Sequence, residues 1–188
     1  MNTDPLDLPD RALERYLFAG AREAMPQDFF ATMARHKLEE DAPNYAVVRA
    51  ALDLLPRRDI SVLDVGSGRG RVLLCGALRG ARVTGIEILP ARAAMAREAA
   101  TRLGLSNVTI VEGDALKLPW PKTEAVIAMN PFYPTAWRRV RARLLACEHR
   151  PVIVAVSTLR DRLAADKRFR PRGEAAVGWI RLGAFELT

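Results

Sequence analysis

The stretch Val62-Leu63-Asp64-Val65-Gly66-Ser67-Gly68-Arg69-Gly70 runs an apolar segment into three glycines at alternate positions. Glycines at a strand-to-helix turn permit positive φ and let a ligand approach the backbone where a Cβ would clash. A flat or extended ligand is therefore expected across this turn. The spacing is G-x-G-x-G, whereas a dinucleotide turn is G-x-G-x-x-G and needs glycine where this chain has Arg71. Asp64, near the end of the apolar segment, would repel a pyrophosphate and attract an amino group. Both features argue against an NAD(P)-dependent oxidoreductase and for a cationic ligand. Three further groups bear on chemistry. Glu87 ends Val83-Thr84-Gly85-Ile86-Glu87, Asp114 follows Glu112-Gly113, and Asn130-Pro131-Phe132-Tyr133 sets an amide beside two aromatic rings. Taken singly, Glu87 also reads as a solvated strand-end carboxylate and Asp114 as a turn cap, and the tetrapeptide as a strand end with core aromatics.

These groups need a scaffold that brings several loops to one edge. From Ile60 onward, short β-branched runs alternate with Ala- and Arg-rich stretches, the pattern of βαβ units and a parallel sheet. Strands are expected at Ser61–Val65, Arg82–Ile88, Val108–Glu112, Ala125–Met129 and Pro151–Ser157. Helices are expected between them at about 71–78, 90–103 and 135–146, with a short one near 159–165. Trp179–Leu187 alternates like an antiparallel strand that closes the sheet edge, and Lys167-Arg168-Phe169-Arg170 reads as an exposed strand with one inward aromatic. Ahead of the sheet, helices are expected over Asp10–Ala24, Gln27–Leu38 and Asn44–Leu55, the last stopped by Pro56. No Gly/Ser linker separates them from the rest. The expectation is a single domain over 1–188, with an N-terminal helical cap or lid over 1–58 and an α/β core over 59–188. The sheet is open, mostly parallel and doubly wound, with an antiparallel C-terminal strand. The glycine turn, Glu87, Asp114 and Asn130 then fall at the C-terminal ends of four successive strands, the edge at which such sheets bind ligands.

In that order, Asp64-x-Gly66-x-Gly68-x-Gly70 resembles motif I of the class I S-adenosylmethionine-dependent methyltransferases, and the likeness extends over about residues 60–135. The resemblance implies S-adenosylmethionine as cofactor, S-adenosylhomocysteine as product, and no metal. It sets Gly66, Ser67, Gly68 and Gly70 against the cofactor with Asp64. It assigns Glu87, with Ile88 beside it, to the ribose hydroxyls, and Asp114 and the Ala115 amide to the adenine. Tyr45, in Asp41-Ala42-Pro43-Asn44-Tyr45, stands where many such enzymes carry an aromatic at the methionine end, or it packs. Asn130-Pro131-Phe132-Tyr133 is similar to the Asn/Asp-Pro-Pro-aromatic tetrapeptide of enzymes that methylate planar amines, with Phe132 replacing the second proline. It is also similar to the Asn-Pro-Phe form of small class I methyltransferases. By that likeness Asn130 orients the nucleophile next to the cofactor, Tyr133 assists it, and Pro131, Phe132 and Tyr133 line the acceptor.

Methyl transfer of this kind asks mainly for alignment and exclusion of water. An amine acceptor must be uncharged, which an apolar aromatic pocket favours by lowering its pKa. No convincing general base is present; His36 beside Lys37 on a polar stretch reads as a surface residue. The leading expectation is N-methylation of a protein side chain or a small molecule. The alternative is an rRNA or other nucleic-acid methyltransferase, or an RNA-binding protein, using the basic C-terminal third.

Composition bounds these readings. The 188 residues suit one compact domain, and 49% hydrophobic with 27% charged residues is ordinary for a soluble fold. The net charge of +7 is uneven: residues 1–64 hold 8 basic and 12 acidic side chains, and residues 138–172 hold 11 and 3. Arg138-Arg139-x-Arg141-x-Arg143 and Lys167–Arg172 supply the excess, and a solvated face is the plainer reading of both. Cys75 and Cys147 stand far apart in apolar surroundings, and His36 and His149 are the two imidazoles, which leaves no zinc or disulfide pattern. With no apolar leader and no run long enough to cross a bilayer, the expected setting is cytoplasmic without a membrane partner. Oligomeric state has no signature in the sequence.

Overall fold

In the computed structural model the described residues are 4–20, 44–129 and 136–188. The expected helix Gln27–Leu38, His36 and Asn130–Tyr133 lie outside the described residues.

Strands β1 (Ser61–Val65), β2 (Arg82–Glu87), β3 (Val108–Glu112), β4 (Ala125–Ala128) and β5 (Val152–Val156) pair in parallel in the order β3-β2-β1-β4-β5. The strand order reverses at β1, so the loops after β1 and β4 diverge there and open a crevice. β1 lies between β2 and β4, with Asp64 level with Gly85 on one side and Ile127 on the other. Beyond β5 the sheet continues with β7 (Ile180–Leu187) and then β6 (Phe169–Val177), β7 running antiparallel to both its neighbours.

The C-terminal edge differs from the sequence expectation. Trp179–Leu187 does not close the sheet; β6 does, and β7 is interior. The cause is the two-residue turn Gly178-Trp179, which pairs Val177 with Ile180 and folds the chain back on itself, with Gly178 at φ 58°. β7 buries four consecutive residues, Leu182 to Phe185, as a strand covered on both faces must. β6 carries Arg170, Pro171, Arg172 and Gly173 and a register shift at Pro171/Gly173, all features suited to an edge.

The side chains of β1 alternate between two cores, as a period of two requires. Val62 joins one that holds Leu13 and Leu17 of α1 (Asp10–Phe18), Val47, Val48 and Ala51 of α2 (Tyr45–Asp53), Leu73 and Leu74 of α3 (Arg71–Leu78), and Ala96 and Ala99 of α4 (Pro90–Arg102). Leu63 and Val65 join the other, with Val140 and Leu144 of α5 (Trp137–Leu145) and Leu159 and Leu163 of α6 (Ser157–Ala165). Helices therefore cover both faces, and the sheet is doubly wound. No packing break marks residue 58, since Leu13, Val48, Val62 and Val83 belong to one cluster. Asn44 caps α2 by accepting from the Val47 amide at 2.9 Å, and Pro90 opens α4 at a position where its missing amide costs nothing. Among the described residues no helix is long and apolar enough to cross a membrane.

Gly85, in the middle of β2, marks the tightest packing beneath the glycine turn. A Cβ there would lie 2.6 Å from Leu73 Cδ1 and 2.8 Å from Ser67 Cβ. Gly85→Ala should destabilise the protein by about 1–3 kcal/mol through overpacking. A thermal melt should fall by about 2–4 °C per kcal/mol for a chain of this size, and an unchanged midpoint would refute the close contact.

Candidate active site at the strand ends

The turn after β1 is shaped by three glycines with positive φ, 70° at Gly66, 55° at Gly68 and 91° at Gly70. The amides of Gly66 and Ser67 both donate to the carbonyl of Ile86, at 2.9 and 3.1 Å, and the Gly70 amide donates to Ser67 at 2.9 Å. Gly70 also lets α4 come close: a Cβ there would sit 2.9 Å from that of Ala96. Around Gly68 no atom lies within 4 Å of where a Cβ would be, so that side of the turn is open to a ligand.

Two carboxyl groups are buried behind the turn. Glu87, 4% exposed at the end of β2, accepts from the Gly68 amide at 2.7 Å through Oε2 and from the Leu89 amide at 2.9 Å through Oε1. Burial raises its pKa, while the amides of Leu89 and Gly68 oppose the rise. Asp64 is 2% exposed, and its Oδ2 is buried with no hydrogen-bond partner. Burial first, and the neighbouring charge of Glu87 second, push its pKa up to about 8, so at neutral pH it is mainly the uncharged acid. The Ser67 hydroxyl is likewise buried and unpartnered. These groups fit a ligand that carries both an ammonium and hydroxyls. A cationic N–H donor would satisfy Asp64 and favour its charged form, and each Glu87 oxygen, with one bond made, retains a lone pair for a hydroxyl.

The other expected site residues surround this pair. Ile88 is half-buried just past Glu87. Asp114 closes the turn after β3: its Oδ1 accepts from the Leu116 amide at 2.8 Å and its carbonyl accepts from Lys117 and Leu118. The turn-cap role is thus present, and Oδ2 lies 3.9 Å from Lys117 Nζ. Ala115 is buried, and its carbonyl receives the indole N–H of Trp120 at 2.8 Å. Tyr45 is buried at the start of α2, with its hydroxyl donating to Glu14.

Glu14 is the residue that sequence reasoning missed. From α1 it receives Arg71 Nε and Nη2, both at 3.0 Å, Arg69 Nη2 at 3.3 Å, and the Tyr45 hydroxyl. The Arg71 guanidinium also lies 5.3 Å from the Tyr45 ring centre, and that of Arg69 lies 5.7 Å from Phe18. Burial opposes the Glu14 charge, but the bonds from Arg71 and Tyr45 and the charges of Arg71 and Arg69 outweigh it and hold the pKa below the usual range. Burial and the bond to Glu14 push the Tyr45 hydroxyl far above its ordinary value, so it stays protonated. The one available signal was indirect. Arginines interleaved with the glycines of a turn suited to a cation need a nearby anion, but nothing local points to a helix 55 residues earlier.

Residues 62–150 match a family model described as "Methyltransferase domain". The chain is 38% identical over 122 residues to a release factor glutamine methyltransferase of Moorella thermoacetica, covering 62% of this chain and 42% of that protein. It is 41% identical over 87 residues to the 23S rRNA (uracil(1939)-C(5))-methyltransferase RlmD of Klebsiella pneumoniae, covering 44% and 20%. It thus spans less than half the length of both curated relatives. In fold it is similar to an RNA methyltransferase from Salinibacter ruber, solved in complex with S-adenosyl-L-homocysteine, with a TM-score of 0.66, 21% identity, and coverage of 78% of this chain and 94% of that one.

The Glu14 cluster makes a stability prediction with a definite pH sign. Because the pKa of Glu14 is lowered by folding, its contribution is present above the ordinary glutamate value of about 4.3 and is lost as pH falls through the folded-state value. Glu14→Gln should cost about 1.5–3 kcal/mol at pH 7, the worth of hydrogen bonds to a charged group. Denaturant titrations of both proteins should converge as the pH falls below about 4, and a gap independent of pH would refute the ionic role.

Proposed function

Because this chain carries the core of a class I S-adenosylmethionine-dependent methyltransferase, we propose that it transfers the cofactor's methyl group to a nitrogen of a protein side chain or small molecule. The observation that carries the cofactor part of this reading is the buried, unpartnered carboxyl of Asp64 beside the twice-bonded carboxylate of Glu87, under a turn open at Gly68; the nitrogen acceptor rests on the likeness of Asn130-Pro131-Phe132-Tyr133. When bound, S-adenosylmethionine supplies an electrophilic sulfonium methyl. Asp64 serves the cationic amino group and Glu87 the ribose hydroxyls, with Ile88 beside it. Asp114 and the Ala115 amide serve the adenine. Gly66, Ser67, Gly68 and Gly70 give the backbone access this requires, and Tyr45 supports the turn from below through Glu14 and Arg71. By the resemblance, Asn130 would orient the acceptor nitrogen, and Pro131, Phe132 and Tyr133 are assigned to the acceptor. A second reading, a nucleic-acid acceptor, is favoured by the gathering of cationic side chains between α5 and α6.

Tritiated methyl transfer into fractionated lysate, scored separately for protein, RNA and small molecules, tests the function directly. Incorporation into none of them, with cofactor binding intact, would refute catalysis. Calorimetry should show heat with S-adenosylmethionine and S-adenosylhomocysteine and none with NAD; the reverse would overturn the cofactor. Glu87→Ala should weaken cofactor binding at least about 100-fold, the scale of two lost charge-assisted hydrogen bonds.

Asp64 adds a pH signature of opposite sign to that of Glu14. Its pKa is raised by folding, so its contribution to ligand-free stability is full below about 4 and is lost as pH rises to about 8. Asp64→Asn should flatten that decline in thermal melts. Cofactor binding to the native protein at pH 7 should release close to one proton, read as a dependence of the calorimetric heat on buffer ionisation enthalpy. Binding without proton release would remove Asp64 from the amino-group role.

A further inference from the structure

The basic residues of the C-terminal third do not spread over a uniform face. Arg143 turns inward and donates to the Leu116 carbonyl at 2.8 Å, while Arg170 and Arg172 pair with Glu186 at 2.8 and 3.3 Å. Trp137, Arg138 and Arg141 of α5, with Arg162 of α6 and Lys167 and Arg168 just beyond it, instead line a cleft of about 700 Å³. One carboxylate, Asp166, stands among these cations. It pairs with Arg141 Nε and accepts from Arg168 Nε at 3.0 Å and Nη2 at 3.1 Å, which fixes both guanidiniums at the cleft. Arg138 and Lys167 are exposed and have no ion pair among the described residues. Arg162 lies 5.9 Å from the centre of the Trp137 ring. Among the described residues, five cations and one anion line the cleft, together with the Trp137 indole.

We infer that this cleft binds a single-stranded polynucleotide, seating its phosphates on Arg138, Arg141, Lys167 and Arg168 and a base on the Trp137–Arg162 pair. The inference rests on the nucleic-acid reading of the acceptor. Three features select this occupant. The cations are distributed along two helices and the turn after them, as a chain of phosphates needs and a single phosphate does not. An aromatic ring with a guanidinium beside it offers a stacking surface, which an acidic peptide would not use. Lastly, α5 is the crossover between the parallel strands β4 and β5, and such a crossover starts from the strand ends, the edge that carries Gly68, Glu87 and Asp114. A strand tracked along the cleft is led toward the catalytic edge.

The test is fluorescence anisotropy with labelled single-stranded RNA and DNA of about 20 nucleotides across a salt series, with polyglutamate of matched charge as competitor. Arg138→Ala/Lys167→Ala should weaken binding about tenfold and reduce the slope of log Kd against log salt by about 1.4, two single-strand phosphate contacts at about 0.7 each. Arg58→Ala/Lys122→Ala removes the same charge ahead of β1 and β4, at residues that do not line the cleft, and should leave the slope unchanged. Equal losses in both double variants, or polyglutamate competing as well as RNA, would overturn the cleft as a polynucleotide site. Comparison of the RNA and DNA arms identifies which strand it takes. Cofactor binding by calorimetry, measured on every variant, should not change. Methyl incorporation into RNA without an effect of Arg138→Ala/Lys167→Ala would sink the cleft and leave the nucleic-acid acceptor standing. Incorporation into protein alone, with no RNA or DNA bound, would sink both.

Discussion

The carboxylate of Glu87 accepts from two amides that belong to different loops, that of Gly68 after β1 and that of Leu89 after β2. A carboxylate buried this deeply must be hydrogen-bonded, so neither loop can shift without leaving it unsatisfied. The amides of Gly66 and Ser67 reach the Ile86 carbonyl, one residue back along the same strand. The glycine turn is therefore tied to the end of β2 at three amides, and its shape is set by its neighbour as much as by its own glycines. The state of Asp64 follows from this. The amides of Gly66, Ser67 and Gly68 are all spent on β2, and an oxygen of Asp64 is left buried with no donor and with Glu87 nearby. A ligand that brings its own cationic donors completes the arrangement.

The same turn carries Arg69 and Arg71, whose charges would otherwise oppose a cationic ligand. Glu14 answers both, and the Tyr45 hydroxyl adds a third donor to the same carboxylate. Helix α1 thus acts on the site's electrostatics as well as on its packing, and Leu13 and Leu17 on its inner side anchor it in the core that holds Val62. A cap attached only by apolar contact could be trimmed at modest cost to the site. One that supplies the counter-ion of the glycine turn cannot.

The parallel strands were legible because burial on both faces writes continuous apolar runs such as Ala125–Ala128 and Val152–Val156. The position of the acids followed from topology alone, since strand ends in a parallel sheet share one edge. The C-terminal hairpin was harder. Both of its strands alternate, and which of them is interior depends on the pairing of Ile153 with Phe185, a contact 32 residues long that local pattern cannot supply. Glu14 was invisible for the same reason: a helix-surface glutamate looks alike whether it meets water or two arginines. Asp114 shows a milder form, because one carboxyl can cap its own turn and still present its second oxygen to a ligand, and sequence offers no choice between the two.

Net charge hides a separation of signs that only the fold displays. The run from Arg138 to Arg172 is strongly basic on paper, with 11 basic and 3 acidic side chains, yet Glu186 answers Arg170 and Arg172, and Arg143 is drawn to a carbonyl of the turn after β3. The remaining excess concentrates between α5 and α6, on the face of the sheet opposite α1 to α4. The recognisable pocket residues, Asp64, Glu87 and Asp114, are all acidic. Acids and cations thus occupy different places, since Asp64, Glu87 and Asp114 are not among the residues that line the cleft between α5 and α6.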